Sequence, residues 1–228
     1  MHCLYCIGKL TAKHPSNLHQ FPIYGLDRFV EECKQRGIEE ISFTGTDTDP
    51  LLYRHPEKLI SWLREKIPGV RLSLHTNGLL ILRKRRIVEL FDRLSISLYS
   101  FESESYNKLT GVRRMPDFVA ISQSIAIPTK VSVIYSQENH TEIASIMEMC
   151  RKAHIKRFVL RKVYGFPGLE NPFADLPVQY TFAGNPVYTI DGLEVTWWDF
   201  AKSELSCINL FADGSISEEY NITKEPRL

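Results

Sequence analysis

The chain has 228 residues, 43% of them hydrophobic and 24% charged, proportions ordinary for a folded globular protein with room for one large core. Lys and Arg number 28 against 27 Asp and Glu, so a net charge of +1 supplies no bulk attraction to nucleic acid or to an anionic membrane. No apolar run is long enough to span a bilayer, and the five cysteines are widely spread apart from Cys3 and Cys6; a disulfide framework is not expected, and a reducing, cytoplasmic setting is.

In chain order, Cys3 and Cys6 come before any strand signal. Leu26 to Arg36 predicts a helix with Leu26, Phe29, Val30 and Cys33 on one apolar stripe and Gly37 as its C-cap. Glu40–Thr44 is the first β-rich run. His55 to Ile67 predicts a second helix, opened by Pro56 and closed before Pro68. The β runs Arg71–His75, Leu94–Tyr99, Lys130–Tyr135 and Arg157–Arg161 follow. Short helical patterns at Ile87 to Leu90 and Phe118 to Ile125 separate them, with a longer one at Thr141 to Ala153 that uses Thr141 as N-cap and packs through Ile143, Ile146, Met147 and Cys150.

Five β runs separated by helices argue for an α/β fold built of βα units with a parallel sheet. Residues 1–165 read as that core. Residues 166–228 read as a mostly β extension, loop-like over 166–186 and then stranded, with hairpin turns at Asp191-Gly192 and Asp213-Gly214. Trp197, Trp198 and Phe200 are expected to pack it on the barrel or sheet edge. The alternative is a few more strands of the same sheet.

Several stretches carry ligand-capable groups. In Cys3-Leu4-Tyr5-Cys6 the spacing lets two thiolates face one metal, and soft sulfur suits zinc or iron–sulfur. A redox pair or a chance spacing explains the same residues. After the first β run come Gly45, Thr46, Asp47, Thr48, Asp49 and Pro50, where carboxylates meet a tight turn and could hold a cation or an ammonium group, or merely cap a helix. Thr76-Asn77-Gly78 follows the second run, Ser97 lies near the end of the third, Asn139 follows the fourth and Arg161 ends the fifth. Together they put polar groups at one end of consecutive strands, where βα folds place their sites.

In this order the residues resemble the radical SAM superfamily, over residues 3 to about 165. Cys3, Tyr5 and Cys6 match the last two cysteines and the aromatic of its C-x3-C-x2-C signature. Thr44-Gly45 and Asp49-Pro50-Leu51-Leu52 are similar to its Gly-Gly-Glu-Pro-Leu-Leu loop, with two extra residues and Asp for Glu. Thr76-Asn77-Gly78, Ser95-Ile96-Ser97-Leu98 and Val131-Ser132-Val133 followed by Asn139 continue the series. The layout is closest to the branch of molybdenum-cofactor cyclases and peptide maturases. The first cysteine of the signature would fall two positions before Met1, so an N-terminally truncated chain is expected, without its first barrel strand.

The resemblance implies a partial (βα)6 barrel and a radical SAM enzyme. It implies a [4Fe–4S] cluster on Cys3 and Cys6, with S-adenosylmethionine cleaved reductively to a 5′-deoxyadenosyl radical that abstracts a substrate hydrogen. Tyr5 would lie near the adenine. Gly45, Thr46, Asp47 and above all Asp49 would take the methionine ammonium, and Ser97 its carboxylate or the ribose. Thr76, Asn77, Asn139 and Arg161 are further contacts. The implied partners are a small-molecule or peptide substrate and a one-electron donor such as ferredoxin or flavodoxin, with no membrane and no nucleic acid. With Cys207 the lone cysteine of the extension, no auxiliary cluster is expected. The competing functions are a non-catalytic barrel-derived binding module and a zinc or redox α/β protein.

Overall fold

The computed structural model describes residues 1–11, 13–165 and 169–219. Residues 166–168 and 220–228 of the expected extension lie outside the described residues.

Strands β1 (Glu40–Phe43), β2 (Arg71–Thr76), β3 (Arg93–Leu98), β4 (Thr129–Tyr135) and β5 (Arg157–Lys162) pair in sequence order, all parallel. Three more strands continue the same sheet: β6 (Tyr180–Phe182), β7 (Asn185–Ile190) and β8 (Leu193–Trp198). The spatial order is β1-β2-β3-β4-β5-β8-β7-β6, with β8 parallel to β5 and β7 antiparallel to β8. The β7–β8 turn is Asp191-Gly192, both at positive φ, the conformation that an Asp-Gly hairpin turn supplies. A separate two-stranded hairpin joins β9 (Asn209–Leu210) to β10 (Ile216–Ser217).

The helices are α1 (Leu26–Gln35), α2 (Pro56–Lys66), α3 (Arg85–Val88), α4 (Ser103–Thr110), α5 (Phe118–Ser124) and α6 (Ile143–Lys152). In α1 the four stripe residues Leu26, Phe29, Val30 and Cys33 are the buried ones. Gly37 at φ +63 and the Ile38 N–H, which donates to the Cys33 carbonyl at 2.9 Å, close the helix as a glycine C-cap does. In α6 the buried residues are Ile143, Ile146, Met147 and Cys150. Thr141 does not cap this helix; it sits inside a 3-10 turn over His140–Glu142 that leads into it. Helix α4 has no counterpart among the predicted elements.

Alternation along the strands divides the sheet into two faces. Ile41, Leu72, Leu74, Leu94, Ile96, Leu98, Val131, Val133, Phe158 and Leu160 join the helices in one core. Their neighbours point the other way: Ser73 and His75, Ser95 and Ser97, Lys130 and Ser132, Arg161, and Thr196. This face is polar yet sheltered, since Ser73, Ser95, Ser132 and Thr196 are all buried. The two tryptophans split accordingly. Trp197 enters the core and packs edge-on to Tyr135, whereas Trp198 lies on the polar side against Phe182 and Phe200.

The two faces should respond differently to truncation. Ile96→Ala, at a fully buried site, is expected to cost about 2–5 kcal/mol. Ser97→Ala, one residue on and on the opposite face, should cost under about 1 kcal/mol. Urea unfolding of the two variants checks this.

Candidate functional site at the strand ends

The N-terminal segment lies across the C-terminal ends of the strands. The His2 N–H donates to the Thr110 carbonyl at 2.9 Å and the Leu4 N–H to Leu109 at 2.8 Å, which fixes the segment on the end of α4. The Cys3–Cys6 turn is closed by the Cys6 N–H on the Cys3 carbonyl at 3.4 Å, and a 3-10 turn over Ile7–Lys9 follows. The Cys6 thiol reaches the Thr46 carbonyl after β1 at 4.0 Å. Gly8 packs on the same loop so closely that a Cβ there would sit 2.0 Å from the Thr46 carbonyl oxygen. The Tyr5 hydroxyl donates to Glu138 after β4 at 3.0 Å. Burial, then the hydrogen bond to Glu138, pushes the Tyr5 pKa up to about 12.

Both cysteines are half-buried and free. Burial pushes the Cys3 thiol up, a hydrogen bond from Tyr99 opposes it, and the neighbouring Cys6 adds to the rise. The donor set is thus two soft sulfurs on one turn, which fits two ligands of an iron–sulfur cluster. Among the described residues no group of three or more His, Cys, Asp and Glu gathers to hold a metal.

The remaining expected site residues line the same end, several of them already engaged. Asp49 is buried, and its carboxylate accepts from Thr76 Oγ1 at 2.7 Å and from the Asn77 N–H at 2.9 Å, tying the loop after β1 to the loop after β2. Its other oxygen accepts from the Leu51 N–H at 2.9 Å, capping a short 3-10 turn over Pro50–Leu52. Three of about four lone-pair positions on the carboxylate are therefore filled from within the chain. Asn77 Oδ1 accepts from the Leu79 N–H at 3.0 Å. Gly45, Thr46 and Asp47 form the loop beneath Cys6 and Gly8, with Asp47 exposed.

Asn139 is fully buried. Its amide donates to the Tyr99 and Ile134 carbonyls, each at 2.8 Å, and its oxygen accepts from the Ser136 N–H at 3.0 Å. Both amide hydrogens thus brace the loops after β3 and β4. Ser97 is half-buried on the polar face, in register with Ser132. Arg161 lies on that face between Ile134 and Trp198.

Sequence reading assigned no individual role to Tyr99 and Glu138, which touch the cysteine turn, or to His75, Ser95 and Lys130 on the polar face, although Ser95 and Tyr99, in and just after β3, and Glu138, after β4, lie in polar stretches that the sequence offers as ligand-capable. His75 is held neutral: burial, then the Lys130 and Arg161 charges, lowers its pKa to about 3. A cavity of about 300 Å³ lies on the helix side, lined by Tyr135, Ile143, Met147, Phe173 and Ile190 with the Arg151–Asp191 ion pair at 2.6 Å. It does not adjoin the cysteine turn.

No family model matches the chain. It is 28% identical over 169 residues to a GTP 3′,8-cyclase of Rhodococcus opacus, covering 70% of this chain and 47% of that protein. A probable GTP 3′,8-cyclase of Methanopyrus kandleri is 29% identical over 157 residues, covering 65% and 48%. The chain thus spans about half the length of the curated relatives it matches. Among solved structures, Streptococcus suis SuiB bound to precursor peptide SuiA matches with a TM-score of 0.56 at 20% identity, covering 71% of this chain and 36% of that one. SuiB bound to S-adenosylmethionine matches with a TM-score of 0.52 at 18% identity, covering 71% and 39%. These similarities support the resemblance to the radical SAM superfamily. The α/β fold with its mostly parallel sheet resembles that of the solved structures. Among the described residues, no helix is long and apolar enough to cross a membrane.

The geometry makes two predictions. Gly8→Ala should force the cysteine turn off the Thr46 loop and destabilise the chain by about 1–3 kcal/mol, read as a lower urea midpoint. For His75, the unfolded imidazole takes a proton as pH falls through its ordinary 6.5, while the folded one resists until about 3. Stability present above pH 6.5 is therefore lost progressively between those values, at roughly 1.4 kcal/mol for each pH unit. His75→Gln is expected to flatten the decline of unfolding free energy between pH 6.5 and about 4.

Proposed function

We propose that this chain is the cluster- and cofactor-binding core of a radical SAM enzyme, acting on a small-molecule or peptide substrate. The observation that carries the reading is the Cys3–Tyr5–Cys6 turn held across the C-terminal strand ends, with Cys6 on the loop after β1 and Tyr5 on the loop after β4. Its relatives are named GTP 3′,8-cyclases and its structural neighbour binds S-adenosylmethionine in one structure and a precursor peptide in another, which supports a [4Fe–4S] cluster with S-adenosylmethionine as the cofactors. Cys3 and Cys6 would be two of the cluster's thiolate ligands. Such a cluster, once reduced, supplies reductive cleavage of S-adenosylmethionine to a 5′-deoxyadenosyl radical that abstracts a substrate hydrogen.

The chain's own residues do the rest. Tyr5, tied to Glu138, fixes the turn on which both thiols sit. Asp49, Thr76 and Asn77 form one hydrogen-bonded unit that sets the shape of two adjoining loops, and the Asp49 carboxylate keeps one position with which to accept an ammonium. The backbone of Gly45–Asp47, the Ser97 hydroxyl and the Arg161 guanidinium supply further polar contacts for the cofactor. Asn139 acts by holding the Tyr99 and Ile134 carbonyls rather than by donating outward. A sheltered polar sheet face next to the cysteines suits a reaction that must keep bulk water from a reactive carbon centre. We read β1 to β5 as the parallel strands of a partial (βα)6 barrel that lacks its first strand, with β8 continuing the sheet beyond β5. Residues after 165 are read as the substrate-specificity region, and the electron donor as ferredoxin or flavodoxin.

Anaerobic reconstitution with ferrous iron and sulfide tests the reading. The chain is expected to turn brown, absorb broadly in the visible and release 5′-deoxyadenosine from S-adenosylmethionine under dithionite. Cys3→Ser and Cys6→Ser should each reduce bound iron to background while leaving the thermal unfolding of the iron-free chain nearly unchanged. A colourless protein, or one that holds zinc and no iron, would overturn it.

A further inference from the structure

Two phenols crowd the Cys3 side of the thiol-bearing turn. The backbone on either side of Cys3 is pinned to the last turn of α4, His2 to the Thr110 carbonyl and Leu4 to the Leu109 carbonyl. Tyr106 lies one helical turn earlier on the same face, since residues three and four apart are neighbours on a helix. It is 1% exposed, and among the described residues its hydroxyl has no hydrogen-bond partner. Its ring packs edge-on against Tyr99, with centroids 6.3 Å apart and planes at 80°. The Tyr99 hydroxyl hydrogen-bonds to Cys3, and the Cys3 charge acts on both phenols. Tyr99 is itself held in place, because Asn139 donates to its carbonyl at 2.8 Å.

A phenol buried without an acceptor costs stability in the metal-free chain. A protonated thiol is a weak acceptor and relieves little of that cost. A metal-bound thiolate is charged, and hydrogen bonds to a charged acceptor are roughly twice as strong. Loading the turn with metal therefore creates the acceptor that these hydroxyls otherwise lack. We propose that Tyr99 and Tyr106 are positioning residues that donate their hydroxyls to the metal-bound Cys3 sulfur and, where that metal is the iron of a cluster, set its reduction potential. Donors at a cluster sulfur favour the reduced, more negative form, so they raise the potential. Cys6 is placed differently: its thiol reaches the Thr46 carbonyl, which accepts and cannot donate. The two thiolates are thus unequal, with Cys3 the one tuned by the protein. The proposal deepens the functional reading above and rests on it only in taking the metal to be the iron of a cluster.

The test uses the 228-residue chain and two probes. Iron-free protein is titrated anaerobically with cadmium ion alone, read from the thiolate charge-transfer absorbance. Tyr99→Phe and Tyr106→Phe should each weaken cadmium binding several-fold. Reconstituted protein is then titrated potentiometrically and followed by its visible absorbance. Each variant should be harder to reduce. The double variant should lower the ratio of reduced to oxidised cluster at a fixed potential about tenfold, which for one electron is about 59 mV. Without metal, Tyr106→Phe should melt at the same or a higher temperature than the parent, because it removes a hydroxyl that the metal-free chain does not satisfy. The proposal is overturned if both variants bind cadmium as the parent does, or if Tyr106→Phe melts lower without metal, which would mark a structural role. A brown parent whose potential neither variant moves also overturns it and leaves the radical reading standing. A parent whose cadmium binding depends on both phenols, yet which takes up no iron, keeps the two donors and sinks the radical reading.

Discussion

A strand turns successive side chains to opposite sides, and here only one side is covered by helices. The residues of β2 to β5 therefore divide between an apolar interior and a polar face. Leu74 and His75 are neighbours in sequence, yet one belongs to the core and the other to a surface fit for chemistry. The helices supply the apolar cover, and the strand ends collect the loops. The cysteine turn then has one place to rest, where the loops after β1 and β4 both reach it.

That arrangement explains why the polar groups at the strand ends are so thoroughly tied to one another. Asp49 joins two loops through Thr76 and Asn77, and Lys84 donates to the Leu51 carbonyl just beyond it. Asn139 joins the two loops that follow β3 and β4. A loop positioned by buried hydrogen bonds loses little further entropy when a ligand arrives, which favours binding without demanding many direct contacts. Some of the residues singled out for ligand contact are, in this fold, the braces that keep other groups in place.

Much of the fold was legible because it rests on periodicity. Leu26, Phe29, Val30 and Cys33 mark α1, and the five β runs are short, branched and apolar on alternate positions. Helix α4 escaped notice because its sequence SESYNKLT is polar and its buried residues are only Tyr106, Leu109 and Thr110. Strand β6 escaped because all three of its residues are exposed and no alternation shows. The joining of β8 to β5 is a long-range pairing that composition does not encode, so the strands after 180 appeared as an extension rather than as a continuation of one sheet. For the site, the cysteine turn and the Thr76-Asn77-Gly78 loop were visible as short patterns. The alignment of His75, Ser95 and Lys130 was not, because register across three strands appears only once the chain is folded.

The contact between Gly8 and Thr46 has a wider consequence. Backbone touches backbone there, with no side chain to yield between them. The thiol-bearing turn and the first strand's loop must then shift as a single rigid piece. Anything that tugs on that loop would be felt at the sulfurs, and transplanting the short leading peptide onto another scaffold would strand it without its seat.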